Sequence, residues 1–388
     1  MRFPEFKEEL VESTIGKEFE LYSGNTPSRL DKGNFVGDVN WITSGELKEH
    51  YIGDTKEKIS EASAKENNLR LMPKGTFVIA IYGLEAEGVR STGSIITKQS
   101  TISQACMAFT PKGSISNEFL YSWYKKHGNV IGIRYAQGTK QQNLSYDIIE
   151  KFRIRYPSSK EQEKLNSFIT LLDTRIAIQI RIIENLQSLI NGITQRISRH
   201  PSVKMTVLSE ILTERNEKNT SLFPVYSVSV SEGVVNQIEY LGRSFAATNT
   251  THYNVVHWGD IIYTKSPTGD FPFGIVKRSS VKANVAVSPL YGVYQPVSND
   301  VAVYLHYYFW NPLNAQNYLH KLIQKGAKNT INITNQRFLE NYIPIPDKEA
   351  LTRFAKLMDA VSDKLKSEQS LLEALQRQKK YFLMQMFV

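Results

Sequence analysis

Two stretches of the sequence carry apolar residues at heptad spacing, and these stripes limit how the chain can fold. In the first, Gln179 interrupts steps of three and four residues that run through Leu165, Ile169, Leu172, Ile176, Ile183, Leu186, Ile190, Ile193 and Ile197. In the second, Glu368 and Lys379 interrupt the same steps through Phe354, Met358, Val361, Leu365, Leu372, Leu375, Phe382 and Met386. This period is typical of coiled coils. It predicts two long helices, the first with about 39 residues and a length of roughly 58 Å.

The two predicted helices need a partner for their apolar stripes, because neither stripe is stable in water. We expect them to pair with each other as an antiparallel coiled coil between two globular domains. A coiled coil with a second copy of the chain is the alternative. Ser159 and Gln162 offer a capping box at the start of the first helix, and His200-Pro201 should end it.

A passage just before the first helix recurs before the second. Residues 138–157 and 326–346 both begin with Gly, a small residue and Lys, reach an Asn beside an apolar residue, and leave through an apolar run ending in Pro. Upstream, residues 73–78 match 257–262 as a turn entering a strand. Short runs rich in Val, Ile, Thr and Tyr predict strands, and the aromatic segments 118–126 and 301–310 look helical.

These patterns predict an α+β fold with internal two-fold pseudo-symmetry. Globular domains are expected over residues 1–157 and 201–346. The long helices are expected over 158–200 and 347–388.

Charge is unevenly distributed along the chain. Residues 67–157 carry 12 Lys and Arg against 5 Asp and Glu, and residues 241–337 carry 9 against 3. Residues 1–66 are acidic, with 9 against 14. Two separate basic regions indicate two surfaces for a polyanion, most commonly a nucleic acid. A merely solvated basic surface is the alternative.

The remaining composition indicates a folded protein of a reducing compartment. Cys106 is the one cysteine, so no internal disulfide can form, and we interpret it as a buried thiol. The charged amino-terminal segment lacks the apolar core of a secretory signal. No apolar run approaches the ~18 residues of a membrane span. We therefore expect a cytoplasmic protein without membrane association.

Several motifs occur in an order that resembles one protein family. They include Thr26-Pro27-Ser28, then GDVNWIT at 37–43, EQEKLNSFITLLD at 161–173, and QKKYFLMQMF at 378–387. Together with the duplication, these resemble the specificity (S) subunit of Type I restriction-modification systems. The second half departs from the pattern, because it reads SLFPVYSVSVSEG instead of the TPS and GDxxWIT entry. This difference implies a second recognition domain of another subtype.

The resemblance implies a non-catalytic, sequence-specific DNA-binding subunit. Each globular domain would be a target-recognition domain that reads one half of a bipartite, asymmetric target in double-stranded DNA, and the helices would set the spacer. Two modification (methyltransferase) subunits, which bind S-adenosylmethionine, would dock on the helices. Restriction (translocase and nuclease) subunits, which use ATP and Mg, could join them. No cofactor is expected in this chain.

Candidate DNA contacts are polar or basic residues near the predicted loops. Basic side chains would contact phosphates, and Gln, Asn or Arg side chains could pair with base edges. In the first domain the candidates are Trp41, Ser44, Lys48, Tyr82, Arg90, Ser91, Thr92, Arg134, Gln137, Thr139, Lys140 and Gln141. In the second they are Lys265, Ser266, Thr268, Lys277, Arg278, Lys325, Lys328 and Asn329.

Two other functions remain open. Asp38, Glu46 and Lys48 fit a loose D-x7-E-x-K pattern, which in nucleases holds Mg²⁺, so a Mg-dependent endonuclease is one alternative. A coiled-coil adaptor without DNA binding is the other, and it would leave both basic regions unexplained. The scattered His residues and one Cys provide no zinc spacing, and no metal site is expected.

Overall fold

Two compact units make up the structure. The computed structural model describes residues 1–138, 140–242, 249–325 and 331–387. The first unit comprises Met1–Ile178 and Leu372–Val388, and the second comprises Gln179–Leu371. Both units mix helices and strands, as the sequence predicts. Both boundaries fall within the long helices, so each unit contains one predicted globular domain and part of each helix.

The first unit is built around a mixed sheet. Its elements are β1 (Val11–Thr14), α1 (Ile15–Glu18), β2 (Phe19–Ser23), β3 (Val39–Ile42), β4 (Tyr51–Ile52), β5 (Lys58–Ile59), α2 (Glu61–Glu66), β6 (Phe77–Ala80), β7 (Gly93–Ile96), β8 (Ser100–Ile102), β9 (Cys106–Pro111), α3 (Asn117–Tyr135), α4 (Tyr146–Ile149), β10 (Arg153–Tyr156) and the start of α5 (Ser159–Ser198). The main sheet has the order β2-β9-β6-β7-β4, and a smaller one has the order β5-β3-β8. Phe77, Phe109 and Phe119 are buried in the core where α3 packs on the sheet.

The second unit has a similar order of elements, but its main sheet has four strands instead of five. Its elements are β11 (Lys204–Val207), β12 (Leu212–Glu214), β13 (Tyr226–Ser229), β14 (Gly233–Asn236), α6 (Gln237–Leu241), β15 (Asn254–Val256), β16 (Ile261–Thr264), β17 (Ile275–Arg278), β18 (Val285–Val287), β19 (Gly292–Pro296), α7 (Asn299–Trp310), α8 (Pro312–His320), β20 (Gln324–Lys325), β21 (Ile331–Asn332), α9 (Asn335–Phe338), β22 (Tyr342–Ile345) and most of α10 (Lys348–Met386). The main sheet has the order β12-β19-β16-β17, and β13 and β14 form a hairpin. The Phe338 ring stacks on Tyr263 and Tyr294 in the core.

The duplicated passages have the same role in both units. Each apolar exit is a strand that pairs antiparallel with the strand entering the same domain, β10 with β1 and β22 with β11. The matching turns before β6 and β16 place Gly75 and Gly259 at φ of 90° and 86°. This left-handed region favours glycine. The repeat in the sequence is therefore a repeat of topology, in which each globular domain is closed next to the start of a long helix.

Both long helices form where the heptad pattern predicts them. The predicted seam positions are buried or half-buried along α5 and α10. The predicted capping box is not formed, because Ser159 already lies inside the helix. The Gln162 amide instead donates to the carbonyl oxygens of Ser114 and Pro157 and accepts from Ser116 N. It therefore ties the start of α5 to the turn that precedes α3.

The two helices contact each other within each unit. In the first unit, the Phe168 and Phe382 rings pack edge to face with centroids 4.9 Å apart, and Lys379 pairs with Asp173. In the second unit, Gln179 Nε2 donates to the Glu368 carbonyl oxygen at 3.0 Å and to its carboxylate. Residue numbers rise on one helix as they fall on the other, so the first-unit contact is antiparallel. The polar interruptions of the seams thus find polar partners on the opposite helix.

Half-buried His50 links the segment before β4 to α3 and α5 in the first unit. The His50 ring stacks between Tyr51 and Tyr121, with centroid distances of 4.1 and 3.9 Å. Its Nε2 lies 3.0 Å from Glu118 and its Nδ1 lies 3.8 Å from Asp173. Burial works against the charged ring, but the two carboxylates outweigh it, and the pKa of His50 is raised.

Replacing His50 with Gln should make the stability of the first unit less dependent on pH. A raised folded-state pKa contributes stability that is fully present below the unfolded value of about 6.5 and is lost as the pH rises through the folded value. The stability difference between the native chain and His50→Gln should therefore be larger at about pH 6 than at about pH 9. Urea unfolding at both pH values measures it, and an equal difference would contradict the assignment.

Candidate nucleic-acid interface

Most first-domain candidates fall on two loops. The β6–β7 loop, residues 81–92, carries Tyr82, Arg90, Ser91 and Thr92. The α3–α4 loop, residues 136–145, begins just after Arg134 and carries Gln137, Lys140 and Gln141. Thr139 lies outside the residues that the structure describes.

Backbone hydrogen bonds hold these two loops side by side. Leu144 N donates to Ile81 O, and Leu84 N donates to Gln142 O, both at 2.9 Å. Candidates that are far apart in the sequence therefore come together at one end of the main sheet. Because these two bonds are between main-chain atoms, they hold the loops together without using any side chain.

Two glycines on α3 make room for the β6–β7 loop. A Cβ on Gly128 would lie 2.8 Å from Ser91 Cα, and a Cβ on Gly132 would lie 2.9 Å from Arg90 Cγ. Each glycine costs a helix about 1 kcal/mol relative to Ala, so their position is explained by this close approach. Neither glycine is among the candidates that the sequence pattern indicates. Their spacing of four, which places them on one helix face, is the signal that could have revealed them.

The candidates on the β6–β7 loop mainly stabilise the loop itself. Arg90 donates from Nε to Leu84 O at 2.7 Å and from Nη2 to Glu85 O at 3.0 Å. Thr92 Oγ1 donates to Val89 O at 2.7 Å. Tyr82 and Ser91 are half-buried. The exposed candidates near this pair of loops are Arg134, Gln137, Lys140 and Gln141.

The second-tier candidates lie elsewhere in the first unit. Trp41 is 2% exposed, and its indole Nε1 donates to Asn25 O at 3.1 Å. A side chain buried in this way belongs to the core, so we remove Trp41 from the proposed contact set. Ser44 is half-buried in a short 3₁₀ helix, and Lys48 is exposed.

The possible nuclease carboxylate is already engaged in the fold. Glu46 Oε2 accepts from Thr43 N at 2.8 Å and Thr43 Oγ1 at 2.9 Å, and its Oε1 accepts from Lys56 N at 2.8 Å. These bonds cap the 3₁₀ helix Ser44–Glu46. Across the described ranges, no group of three or more His, Cys, Asp or Glu side chains is arranged to hold a metal. The endonuclease alternative is therefore not favoured.

In the second unit the candidates separate into two places. Lys265, Ser266 and Thr268 lie on the loop between β16 and β17, which corresponds to the β6–β7 loop. Ser266 and Thr268 are exposed, and Lys265 is half-buried. Lys325 belongs to β20, and Lys328 and Asn329 lie outside the described residues.

Lys277 and Arg278 sit at the far end of β17 from this loop. Lys277 is 2% exposed, with Nζ 5.4 Å from the Trp310 ring centroid. The Arg278 guanidinium lies over Trp258 at 4.6 Å and donates to Asn299 at 2.6 Å. We remove Lys277 from the proposed DNA contacts, because a duplex cannot reach a side chain buried to this extent.

Comparisons with known proteins match the first part of the chain to one family model. Residues 7–188 match the family model described as Type I restriction modification DNA specificity domain. This stretch of the chain is therefore similar to a Type I restriction modification DNA specificity domain, and the curated proteins that match the chain are specificity subunits of Type I restriction enzymes.

Individual relatives match parts of the chain. The specificity subunit of the Type I restriction enzyme MjaIX from Methanocaldococcus jannaschii is 28% identical over 161 residues, 40% of this chain and 36% of that protein. The EcoR124I/EcoR124II specificity subunit from Escherichia coli is 24% identical over 199 residues, 50% of this chain and 45% of that protein. The matches thus span less than half the length of these curated relatives.

The fold is also similar to a solved structure. The crystal structure of a Type I restriction-modification S subunit from M. genitalium has a TM-score of 0.60 at 14% identity, covering 100% of this chain and 97% of that one. At this identity the likeness concerns the fold alone. None of the helices in the described part of the chain is long and apolar enough to span a membrane.

Replacing Gly128 with Ala should displace the β6–β7 loop. The added methyl group would force Ser91 away from α3, so the free energy of unfolding should fall by about 1–3 kcal/mol, as overpacking usually costs. Urea denaturation measures this change. Gly192→Ala on α5 is the matched control, because nothing lies within 4 Å of its added Cβ. The control should be more stable by about 1 kcal/mol; a similar gain for Gly128→Ala would contradict the close approach.

Proposed function

We propose that this chain is the sequence-specific DNA-binding subunit of a Type I restriction-modification complex and has no catalytic activity of its own. The pair of hydrogen-bonded loops in the first unit is the observation that carries the proposal. It presents two exposed cations, Arg134 and Lys140, beside two exposed amides, Gln137 and Gln141. Cations bind DNA phosphates irrespective of sequence, and amides can pair with base edges.

Each globular domain would read one half of a bipartite, asymmetric target. The recognition domains would span residues 1–157 and 201–346, and the conserved helices would span 158–200 and 347–388. The corresponding loops have different side chains and different lengths, so the two half-sites should differ in sequence. In the second domain the readers would be Lys265, Ser266, Thr268, Lys325, Lys328 and Asn329, whereas Arg278 lies at the opposite end of β17 and is left out of this set.

The paired helices would form an antiparallel coiled coil that sets the spacer between the half-sites. The polar contacts of Asp173 with Lys379 and of Gln179 with Glu368 support this, since buried polar pairs specify register. A fixed register gives a fixed length, and a fixed length favours one spacing along DNA.

The outer face of α5 would dock the modification subunits. Four apolar residues recur at steps of seven and four on a face of α5 that is not part of the seam. They are Leu171, Ile178, Ile182 and Leu189, and each is at least 37% exposed. An apolar stripe of this kind would be buried by helices of a partner. S-adenosylmethionine would be bound by those methyltransferase subunits, and ATP and Mg by restriction subunits, in the cytoplasm.

Replacing Lys140 with Ala should weaken DNA binding without changing the recognised sequence. Losing one phosphate contact should reduce the slope of log affinity against log salt by about one. Fluorescence anisotropy with target and non-target duplexes at several salt concentrations measures both effects. Lys74→Ala is the matched control, because Lys74 is exposed on the turn at the other end of β6. An equal loss for both variants would contradict the placement of the interface.

Inserting one heptad into both long helices should widen the spacer and leave the half-sites unchanged. The insertions belong between Asp173 and Gln179 on α5 and between Glu368 and Lys379 on α10, so that both polar contacts can still form. Mapping methylated adenines in the genomes of cells that carry each version would reveal the half-sites and the spacer together. Altered half-site bases would argue against the helices as a spacer, and methylation of one continuous site would argue against two readers.

A further inference from the structure

A polar cleft of about 520 Å³ opens in the second unit beside α10. Strand β17 provides its inner wall with Lys277 and Arg278, and α7 provides an aromatic wall with Tyr307 and Trp310. The rim is formed by charged and polar side chains of the β13–β14 hairpin and of α10, among them Ser231, Glu232, Asp359, Asp363 and Lys366.

Lys277 lacks a counter-ion in this cleft. Its side chain is buried, and its ammonium group makes a cation–π contact with the Trp310 ring. Among the described residues, no carboxylate pairs with it. The adjacent Arg278 has a buried Nε with no hydrogen-bond partner. Burial lowers the pKa of Lys277 to about 8. A buried cationic group without an acceptor is costly in free energy, so the persistence of Lys277 at a cleft indicates that a ligand supplies the missing acceptor.

In the first unit, the residue that corresponds to Lys277 is Ser94, and a segment of the same unit covers it. Ser94 is opposite Val78 there, as Lys277 is opposite Ile262 in the second unit. Ser94 Oγ donates to Glu49 O at 2.6 Å. The strand that follows, β4, covers the edge of β7. The main sheet of the second unit ends at β17 instead. In the first unit, residues 49–52 thus cover this edge of the sheet. In the second unit, the same edge carries buried Lys277 and borders a cleft.

We propose that this cleft binds a single small anion, a carboxylate or a phosphate group, on Lys277 and Arg278. The acidic side chains at the rim, Glu232, Asp359 and Asp363, repel a polyanion, so the DNA backbone is not the ligand. The ligand would place its anionic group on Lys277 and Arg278. The rest of the ligand would be polar or cationic, because it would lie beside the acidic side chains and Lys366 at the rim. His306 adds no positive charge to the cleft, because burial lowers its pKa to about 3 and its Nδ1 accepts from Arg278 N at 3.2 Å.

Amine labelling of the full-length chain tests the proposal. The probes are inorganic phosphate and acetate, each compared with chloride at equal ionic strength, and the readout is acylation of Lys277 by mass spectrometry at about pH 7. An anion on the ammonium should raise its pKa by one unit or more, so the reactive neutral fraction should fall about tenfold. Exposed Lys282 in the same chain is the internal control and should be unaffected.

A second measurement follows the folded state. Saturating phosphate or acetate should raise the melting temperature of the native chain and of Lys282→Met, but not of Lys277→Met, because only a ligand of the folded state stabilises it. Response to one probe alone would identify the group as phosphate or carboxylate. Unchanged Lys277 labelling with both anions, or protection by duplex DNA only, would overturn the proposal. Neither outcome depends on whether the loops of the first unit read DNA.

Discussion

The burial of two apolar stripes against each other is the constraint on which the rest of this molecule depends. Within the first unit α5 meets α10 through Phe168 and Phe382, and within the second unit Gln179 meets Glu368. An apolar seam alone tolerates slippage by a heptad, whereas a buried polar residue is stable only opposite its partner. Within each unit, the polar contact therefore fixes how α5 lies against α10.

Periodic features of this protein could be predicted from its sequence because each depends on residues close together in the chain. The heptad steps predict α5 and α10, and the matched passages predict that each domain ends in a strand leading into a helix. The turns at Gly75 and Gly259 were also predicted as strand entries. Their physics is local: helix period, strand propensity and a left-handed turn.

Features that depend on tertiary packing could not be predicted in the same way. Trp41 and Lys277 carry side chains suited to a ligand, but their exposure is decided by elements distant in sequence. The sequence shows Arg90 as a basic residue of a loop. It does not show that the guanidinium donates to the carbonyl oxygens of Leu84 and Glu85. The close approach at Gly128 depends on the path of a loop that no short sequence pattern encodes.

The two units have similar sheets, but different residues lie at the edge of each sheet. In the first unit, the His50 ring stacks on Tyr51 and lies near the carboxylates of Glu118 and Asp173. In the second, Lys277 lies at the matching end of the sheet beside a cleft. Duplicated scaffolds diverge most readily where an added segment can be gained or lost without breaking the sheet, and a short edge strand such as β4 is a segment of that kind.

The main-chain bonds between the β6–β7 and α3–α4 loops have an evolutionary consequence. Amide and carbonyl groups are common to nearly all residues, so Leu144 N to Ile81 O and Leu84 N to Gln142 O survive most substitutions at these positions. Mutations at Gln137, Lys140 or Gln141 can then alter the displayed chemistry while the loops keep their path. A lineage that carries this protein could acquire a new target by point mutation, without first having to evolve a new framework.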